Sequence, residues 1–289
     1  MTSHAALPRS IATPSDAAAL QACARRVQTP CGDGAMVWHL WGEGSPVLLL
    51  HGGSGSWNHW VRNIAPLVEA GRLVCVPDLP GSGDSASPPH GHDADALPQW
   101  VETGLDALLG GAPCDVAAFS FGTMVAAFLV AQHPQRVRRL VLSGAPALST
   151  EPTRPHGLRD WSRVPEGPQR DAAHRHNLGR LMLAREASID ALALALHAAN
   201  VVRDRMKRRR LSQTDVMLRT LPQLRCPVWG LWGAEDVLYR ERTHVLVPGL
   251  SAAPDFRSLT LIPAAGHWVQ YEAAATFNDT LGALLAMPL

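Results

Sequence analysis

Residues 114–133 read CDVAAFSFGTMVAAFLVAQH. The stretch opens as a short apolar run, reaches Ser120, and passes without a linker into the helical pattern FGTMVAAFLVAQH. A buried strand that runs straight into a helix holds its junction residue on a tight turn, with the side chain exposed at the sheet edge. Bulky neighbours would collide with strand and helix there, and Ala118 and Gly122 are small. The usual form of this turn is G-x-S-x-G, so alanine at 118 departs from it. Taken alone, an apolar strand ending in serine is also an ordinary strand-to-helix turn. The flanking sequence has to decide.

Outward from this point, strands and helices alternate. AMVWHLWG (35–42) and PVLLLHGG (46–53) read as strands, and NHWVRNIAPLVEAG (58–71) as an amphipathic helix. RLVCVPD (72–78) is a further strand, LPGSGDSASPPHGHD (79–93) a turn-rich loop, 94–109 a helix and RVRRLVLSGA (136–145) a strand. Such alternation implies crossover connections and a doubly wound, mostly parallel sheet. After Pro146 the rhythm stops. Residues 147–221 carry helix-like pieces such as LGRLMLAREASIDALALALHAANVVRDRMKRRR and no buried-strand pattern. The alternation resumes with CPVWGLWGAED (226–236), a helix near 241–250, the strand RSLTLIP (257–263) and a last helix after Gly266. The expected organisation is an N-terminal arm over 1–27 with one short helix, a core built from 28–146 and 222–289, and a helical cap insert over 147–221. An insert so placed covers the C-terminal edge of the sheet.

Three further segments supply partners for Ser120. LLLHGGSGSW (48–57) turns sharply at His51-Gly52-Gly53 after a buried strand. Acyl transfer needs two backbone N–H donors for a developing oxyanion, one from such a loop and one from the residue after the nucleophile. Those are Gly53 and Phe121, and His51 reads as a residue that hydrogen-bonds within its own loop. GLWGAEDVL (230–238) places Asp236 just beyond a strand, and LIPAAGHWV (261–269) places His267 beyond the next. A serine hydroxyl needs a base at neutral pH, which His267 supplies. Asp236 would fix the tautomer and stabilise the imidazolium. Glu235 is the rival acid, leaving the turn one residue earlier.

With nucleophile, acid and histidine in that order, the chain resembles the α/β-hydrolase superfamily over roughly 35–146 and 221–285. PDLPGSGDS (77–85) looks like the family's loop after the fourth strand, and Gly266-His267 matches its histidine turn. Serine at 120 sets the chain apart from the dehalogenase and epoxide hydrolase branches, which use aspartate there. GHWVQYE (266–272) and NHWVRNIAPLVEAG also resemble the carbon–carbon bond hydrolases of aromatic ring-fission products. Their oxyanion loop carries an extra Gly-Pro stretch, whereas HGGSGSW is shorter and has no proline. The resemblance therefore implies a serine carboxylesterase acting on small or medium, largely apolar esters. Carbon–carbon cleavage, or a catalytically silent binding protein of the same fold, are the alternatives.

Composition narrows the remaining classes. The chain has 289 residues, 46% hydrophobic and 18% charged, with a formal net charge of +1. That is a globular balance without the basic excess of a nucleic-acid binder. Lys207 is the single lysine, so no Lys-containing phosphate loop exists. Cys23, Cys31, Cys75, Cys114 and Cys226 are scattered, without a C-x-x-C pair. His90/His92 and His174/His176 lack the neighbours of a recognised metal set. The expectation is no cofactor and no metal, a small-molecule substrate, no nucleic-acid or membrane partner, and a cytoplasmic location, with homo-oligomerisation left open. Trp57, Trp60, Trp161 and Trp268 are candidate pocket walls, as is Tyr271. The basic run RDRMKRRR (203–210) reads as a solvated helix face, with one arginine available to a substrate carboxylate.

Overall fold

The apolar runs become strands, and those at the centre of the sheet are buried on both faces. The computed structural model describes residues 7, 8, 10–151 and 157–288. Among them are β1 (Arg25–Cys31), β2 (Gly34–Trp41), β3 (Ser45–Leu50), β4 (Arg72–Pro77), β5 (Cys114–Phe119), β6 (Val137–Ser143), β7 (Val228–Gly233) and β8 (Phe256–Ile262). They form one sheet in the order β1-β2-β4-β3-β5-β6-β7-β8, antiparallel at β1–β2 and β2–β4 and parallel elsewhere. Helices α1 (Pro14–Ala22), α2 (Ile64–Glu69), α3 (Pro98–Leu109), α4 (Phe121–Gln132), α5 (Pro168–Asn177), α6 (Ala191–Val202), α7 (Val216–Thr220), α8 (Leu246–Leu250), α9 (Val269–Glu272) and α10 (Ala274–Ala286) complete it.

Because side chains alternate across a strand, β3, β5 and β6 feed two cores. Leu48, Leu50, Val116, Ala118, Leu140 and Leu142 join the layer that holds α3 and α4. Val47, Leu49, Ala117, Phe119 and Val141 join the layer with α2 and α10. The strand order reverses between β3 and β5, since β3 connects to β4 on one side while β5 lies on the other. Loops leaving the carboxyl ends of these two strands diverge and open a crevice. Ser120 and Gly53 stand there.

The segment between β6 and β7 contains, among the described residues, helices and turns and no strand. Residues 152–156 lie outside the described residues. No helix among the described residues is long and apolar enough to cross a membrane.

Three local expectations fail for identifiable reasons. The sheet starts earlier than expected, because β1 is an edge strand whose Arg25, Arg26 and Gln28 are exposed and so lack an apolar signature. The helix expected over 58–71 is a 3₁₀ turn, Trp57–Trp60, followed by α2. Pro66 has no N–H to give, so α-helix begins only two residues before it. The helix near 241–250 shrinks to α8 after a 3₁₀ turn, its last residues including Pro248 and Gly249.

Gly122 sits in the first turn of α4 where a Cβ would lie 2.6 Å from the His51 carbonyl oxygen and 2.7 Å from that of Leu50. In an open helix, Gly→Ala stabilises by up to ~1 kcal/mol. Here Gly122→Ala is expected to lower stability by about 1–3 kcal/mol through backbone displacement. Urea unfolding checks the sign.

Candidate active site

Ser120 follows β5 with φ 50° and ψ −117°, outside the regions that L-residues ordinarily adopt. Its N–H donates to the Ser143 carbonyl at 2.8 Å and its own carbonyl accepts from Thr123 N–H at 2.9 Å, which holds the turn. Gly122 allows α4 to pass over the end of β3. The side chain is thereby carried to the carboxyl edge of the sheet.

His267 reaches the serine from the turn after β8. Ser120 Oγ–H donates to His267 Nε2 at 2.9 Å, and His267 Nδ1–H donates to Asp236 Oδ2 at 2.9 Å and Oδ1 at 3.0 Å. The pair is buried, Asp236 at 1% exposure and His267 at 3%. Glu235, the rival acid, is exposed, whereas the imidazole is buried and its Nδ1–H is taken by Asp236. Two glycines make this approach sterically feasible. A Cβ on Gly233 would lie 2.1 Å from the Gly266 carbonyl oxygen, and one on Gly144 2.9 Å from His267 Cε1.

The loop after β3 is fixed by histidines. His51 Nδ1–H donates to the Gly52 carbonyl at 2.8 Å, and its Nε2 accepts from Leu79 N–H at 2.9 Å. A peptide plane whose C=O is held on one side presents its N–H on the other. The N–H of that plane belongs to Gly53, which lines the cavity beside Ser120 and Phe121. The structure thus brings together Ser120, Asp236, His267, Gly53 and Phe121.

The cavity over Ser120 is about 220 Å³. Phe119, Phe121, Pro146, Leu181, Met182 and Leu238 give it apolar walls, and Arg209, Ser212 and Gln213 form a polar side. None of the four candidate tryptophans lines it. Trp57 packs on Trp41 and His39, Trp60 on Phe277, Trp161 on His174, and Trp268 on His59 and Tyr271. Proximity in sequence to the loops after β3 and β8 did not aim Trp57, Trp60 and Trp268 into the cavity, because their rings fill the sheet's second core.

The basic run is a second correction. Its residues are not on a helix, since α6 ends at Val202. Met206 and Asp204 are buried, at 2% and 6% exposure, which anchors the loop. Arg203 pairs with Asp84 and Arg205 with the carbonyls of Gly83 and Ser85. Arg209 lines the cavity, donating to Asp204 Oδ2 at 2.8 Å and Ser54 Oγ at 3.1 Å, with its guanidinium carbon 5.2 Å from the Phe121 ring centre.

Glu272 escaped sequence reasoning. Buried at 6% exposure, it accepts N–H groups from Gly266 (2.7 Å), Ala184 (2.9 Å) and Arg185 (2.8 Å), joining the histidine turn to the segment between β6 and β7. The residues GHWVQYE contain it, but nothing in their spacing marks a carboxylate collecting backbone donors. Burial pushes the Cys75, Cys114 and Cys226 thiols up to about 12, which keeps these three protonated at neutral pH.

Known proteins share this fold. Residues 45–274 match the family model described as alpha/beta hydrolase fold. The chain belongs to the α/β-hydrolase fold family. Among relatives of this hydrolase, 2-hydroxymuconate semialdehyde hydrolase of Pseudomonas sp. (strain CF600) is 29% identical over 266 residues, covering 86% of this chain and 89% of that protein. The 2-hydroxy-6-oxo-6-phenylhexa-2,4-dienoate hydrolase of Burkholderia cepacia is 27% identical over 254 residues, covering 82% and 86%. A solved meta-cleavage product hydrolase from Pseudomonas fluorescens IP01 superposes with TM-score 0.73 at 20% identity, covering 90% of this chain and 97% of that one. A thermophilic esterase from Thermogutta terrifontis superposes with TM-score 0.70 at 22% identity, covering 90% and 98%.

The two neighbouring acids give a test of the imidazole's partner. Asp236→Asn is expected to lower kcat by about three to four orders of magnitude, because the wrong tautomer is then favoured. Glu235→Gln should change kcat little. Steady-state kinetics on a chromogenic ester reads both, and a reversal would move the acid by one residue.

Proposed function

We propose that this hydrolase cleaves carboxylic esters of small or medium, largely apolar substrates through an acyl-enzyme on Ser120. The observation that carries the reading is the unbroken hydrogen-bond chain Ser120–His267–Asp236 opening into the cavity. In this mechanism Ser120 Oγ attacks the substrate carbonyl as its proton passes to His267 Nε2. Asp236 stabilises the resulting imidazolium. Gly53 and Phe121 N–H groups receive the oxyanion. His267 then protonates the departing alkoxide, and water, deprotonated by the same imidazole, releases the acid and restores Ser120.

Six apolar residues on the walls favour an acyl or aryl group of modest size. The segment 147–221 acts in this proposal as the cap, since Leu181, Met182, Arg209, Ser212 and Gln213 all come from it. Arg209 is already paired with Asp204, which weakens its pull on an anion and supports neutral substrates. The second reading is carbon–carbon bond cleavage of a carboxylate-bearing ring-fission product. The names of the two relatives favour it, and so does a guanidinium in the cavity wall.

Three outcomes are expected. A fluorophosphonate labels Ser120, and Ser120→Ala abolishes labelling and ester turnover; an adduct mapped to another serine would sink the assignment. Across a panel, p-nitrophenyl esters from acetate to octanoate give kcat/KM at least roughly ten-fold above that of a vinylogous dienoate diketone, about 1.4 kcal/mol of transition-state preference. Arg209→Gln loses little more on the dienoate than on the esters. The opposite ranking, with a loss confined to the dienoate, selects carbon–carbon cleavage.

A further inference from the structure

The oxyanion loop contains two adjacent glycines, and glycine restrains its own backbone least of all residues. A side chain at Gly52 is excluded, because a Cβ there would lie 2.9 Å from the Phe119 ring and 3.1 Å from Ser120 Cβ. Something other than a side chain must therefore fix both peptides of Gly52. His51 holds its carbonyl. The N–H is held by His59, which no motif singled out: Gly52 N–H donates to His59 Nδ1 at 3.2 Å.

His59 is built into its place. It is 4% exposed. Its ring stands edge-on to Phe119 at 5.5 Å and tilted on Trp268 at 5.0 Å. The loop folds over it so closely that a Cβ on Gly55 would come 2.2 Å from its Cε1. Its carbonyl accepts Trp268 Nε1–H at 2.8 Å, and Trp268 directly follows His267. One residue thus touches the peptide before the oxyanion donor and the turn that carries the base. Burial holds the imidazole well below its usual pKa, which leaves one ring nitrogen free to accept, and the Gly52 N–H aimed at Nδ1 makes that the one. The titratable groups facing it are His51, His197 and His267, each of which disfavours a further positive charge.

We propose that His59 is a positioning residue for the oxyanion site: its Nδ1 engages Gly52 N–H and leaves Gly53 N–H as the donor presented to substrate. This rests on the acyl-enzyme reading above. Ser54 and Ser56, which follow Gly53, are held instead from the segment between β6 and β7, by Asp204 and Asn200 at 2.6 and 2.9 Å. His59 secures the side nearer the sheet.

The test compares His59→Phe, which keeps ring volume but removes the acceptor, with His59→Asn, whose side-chain oxygen can take the place of Nδ1. Loss of a whole oxyanion donor costs about 10²–10³ in kcat. A donor left in place but poorly aimed should cost less. His59→Phe is expected to lose roughly ten- to a hundred-fold in kcat with KM within about two-fold, and to lose affinity for a trifluoromethyl ketone in proportion. Fluorophosphonate labelling of Ser120 should persist, and His59→Asn should recover most of kcat. Unchanged kcat and ketone affinity in His59→Phe, or equal impairment of both variants at matched melting temperature, overturns the proposal. The unaltered protein gives a readout that needs no variant to fold. A through-hydrogen-bond ¹⁵N–¹⁵N coupling between Gly52 N and His59 Nδ1 is expected, and a His59 found with its proton on Nδ1 contradicts it. Failure of Ser120 to react would sink the acyl-enzyme reading while leaving that coupling in place, so the two failures are distinguishable.

Discussion

A serine held at φ 50°, ψ −117° between β5 and α4 is the constraint from which the rest of the site follows. Backbone in such a region costs of order 1–3 kcal/mol and persists where surrounding structure over-determines it. Here the determination is visible. β5 lies between β3 and β6, its residues are fully buried, and Gly122 lets α4 cross above the carbonyls of His51 and Leu50. Relaxing the turn would require moving a central strand or the helix packed on it. The hydroxyl is therefore presented by the core itself, and the imidazole and carboxylate need only be brought to it.

The same economy governs the partners. Asp236 and His267 leave neighbouring parallel strands, and Gly233 lets their two turns approach to a distance that a side chain would forbid. At the opposite end of the sheet, Asp115 is buried against Arg72, Arg138 and Arg139, and Arg139 also reaches the carbonyls of Leu284 and Met287 at the end of α10. Removing one partner from such a buried cluster leaves uncompensated charge, which costs several kcal/mol. Charge at one edge thus supports the scaffold, while the other edge is kept for chemistry. Polar links run from the loop after β3 to the segment between β6 and β7 through Ser54–Asp204–Arg209 and Ser56–Asn200. Placement of that segment and geometry of the loop are consequently coupled.

Much of this was legible in the residues because it depends on local pattern. Buried parallel strands read as continuous apolar runs, and a strand passing directly into a helix at AAFSFGTM marks the junction serine. Residues after the carboxyl ends of strands converge by topology, so Asp236 and His267 could be named without knowing any distance. What stayed hidden depends on packing between segments remote in sequence. β1 escaped because an edge strand needs no apolar period. Trp57, Trp60 and Trp268 sit beside catalytic loops in sequence, but their rings fill the core behind those loops. RDRMKRRR suggested one arginine near the substrate but not which, and it gave no hint that Met206 and Asp204 would be buried. His59 and Glu272 act through backbone N–H groups of other loops, and hydrogen bonds of that kind leave no spacing to read.

In the proposed reaction Ser120 is acylated and then released by hydrolysis, with His267 serving both steps. Stopped-flow mixing of enzyme with excess p-nitrophenyl acetate tests it most directly when paired with rapid-quench mass spectrometry of the intact chain. The expected result is p-nitrophenolate release accompanied by a transient acetyl adduct located on Ser120, and loss of both in His267→Ala. Ester turnover with no adduct at any time under conditions where deacylation is rate-limiting, or an adduct on a different side chain, would contradict it.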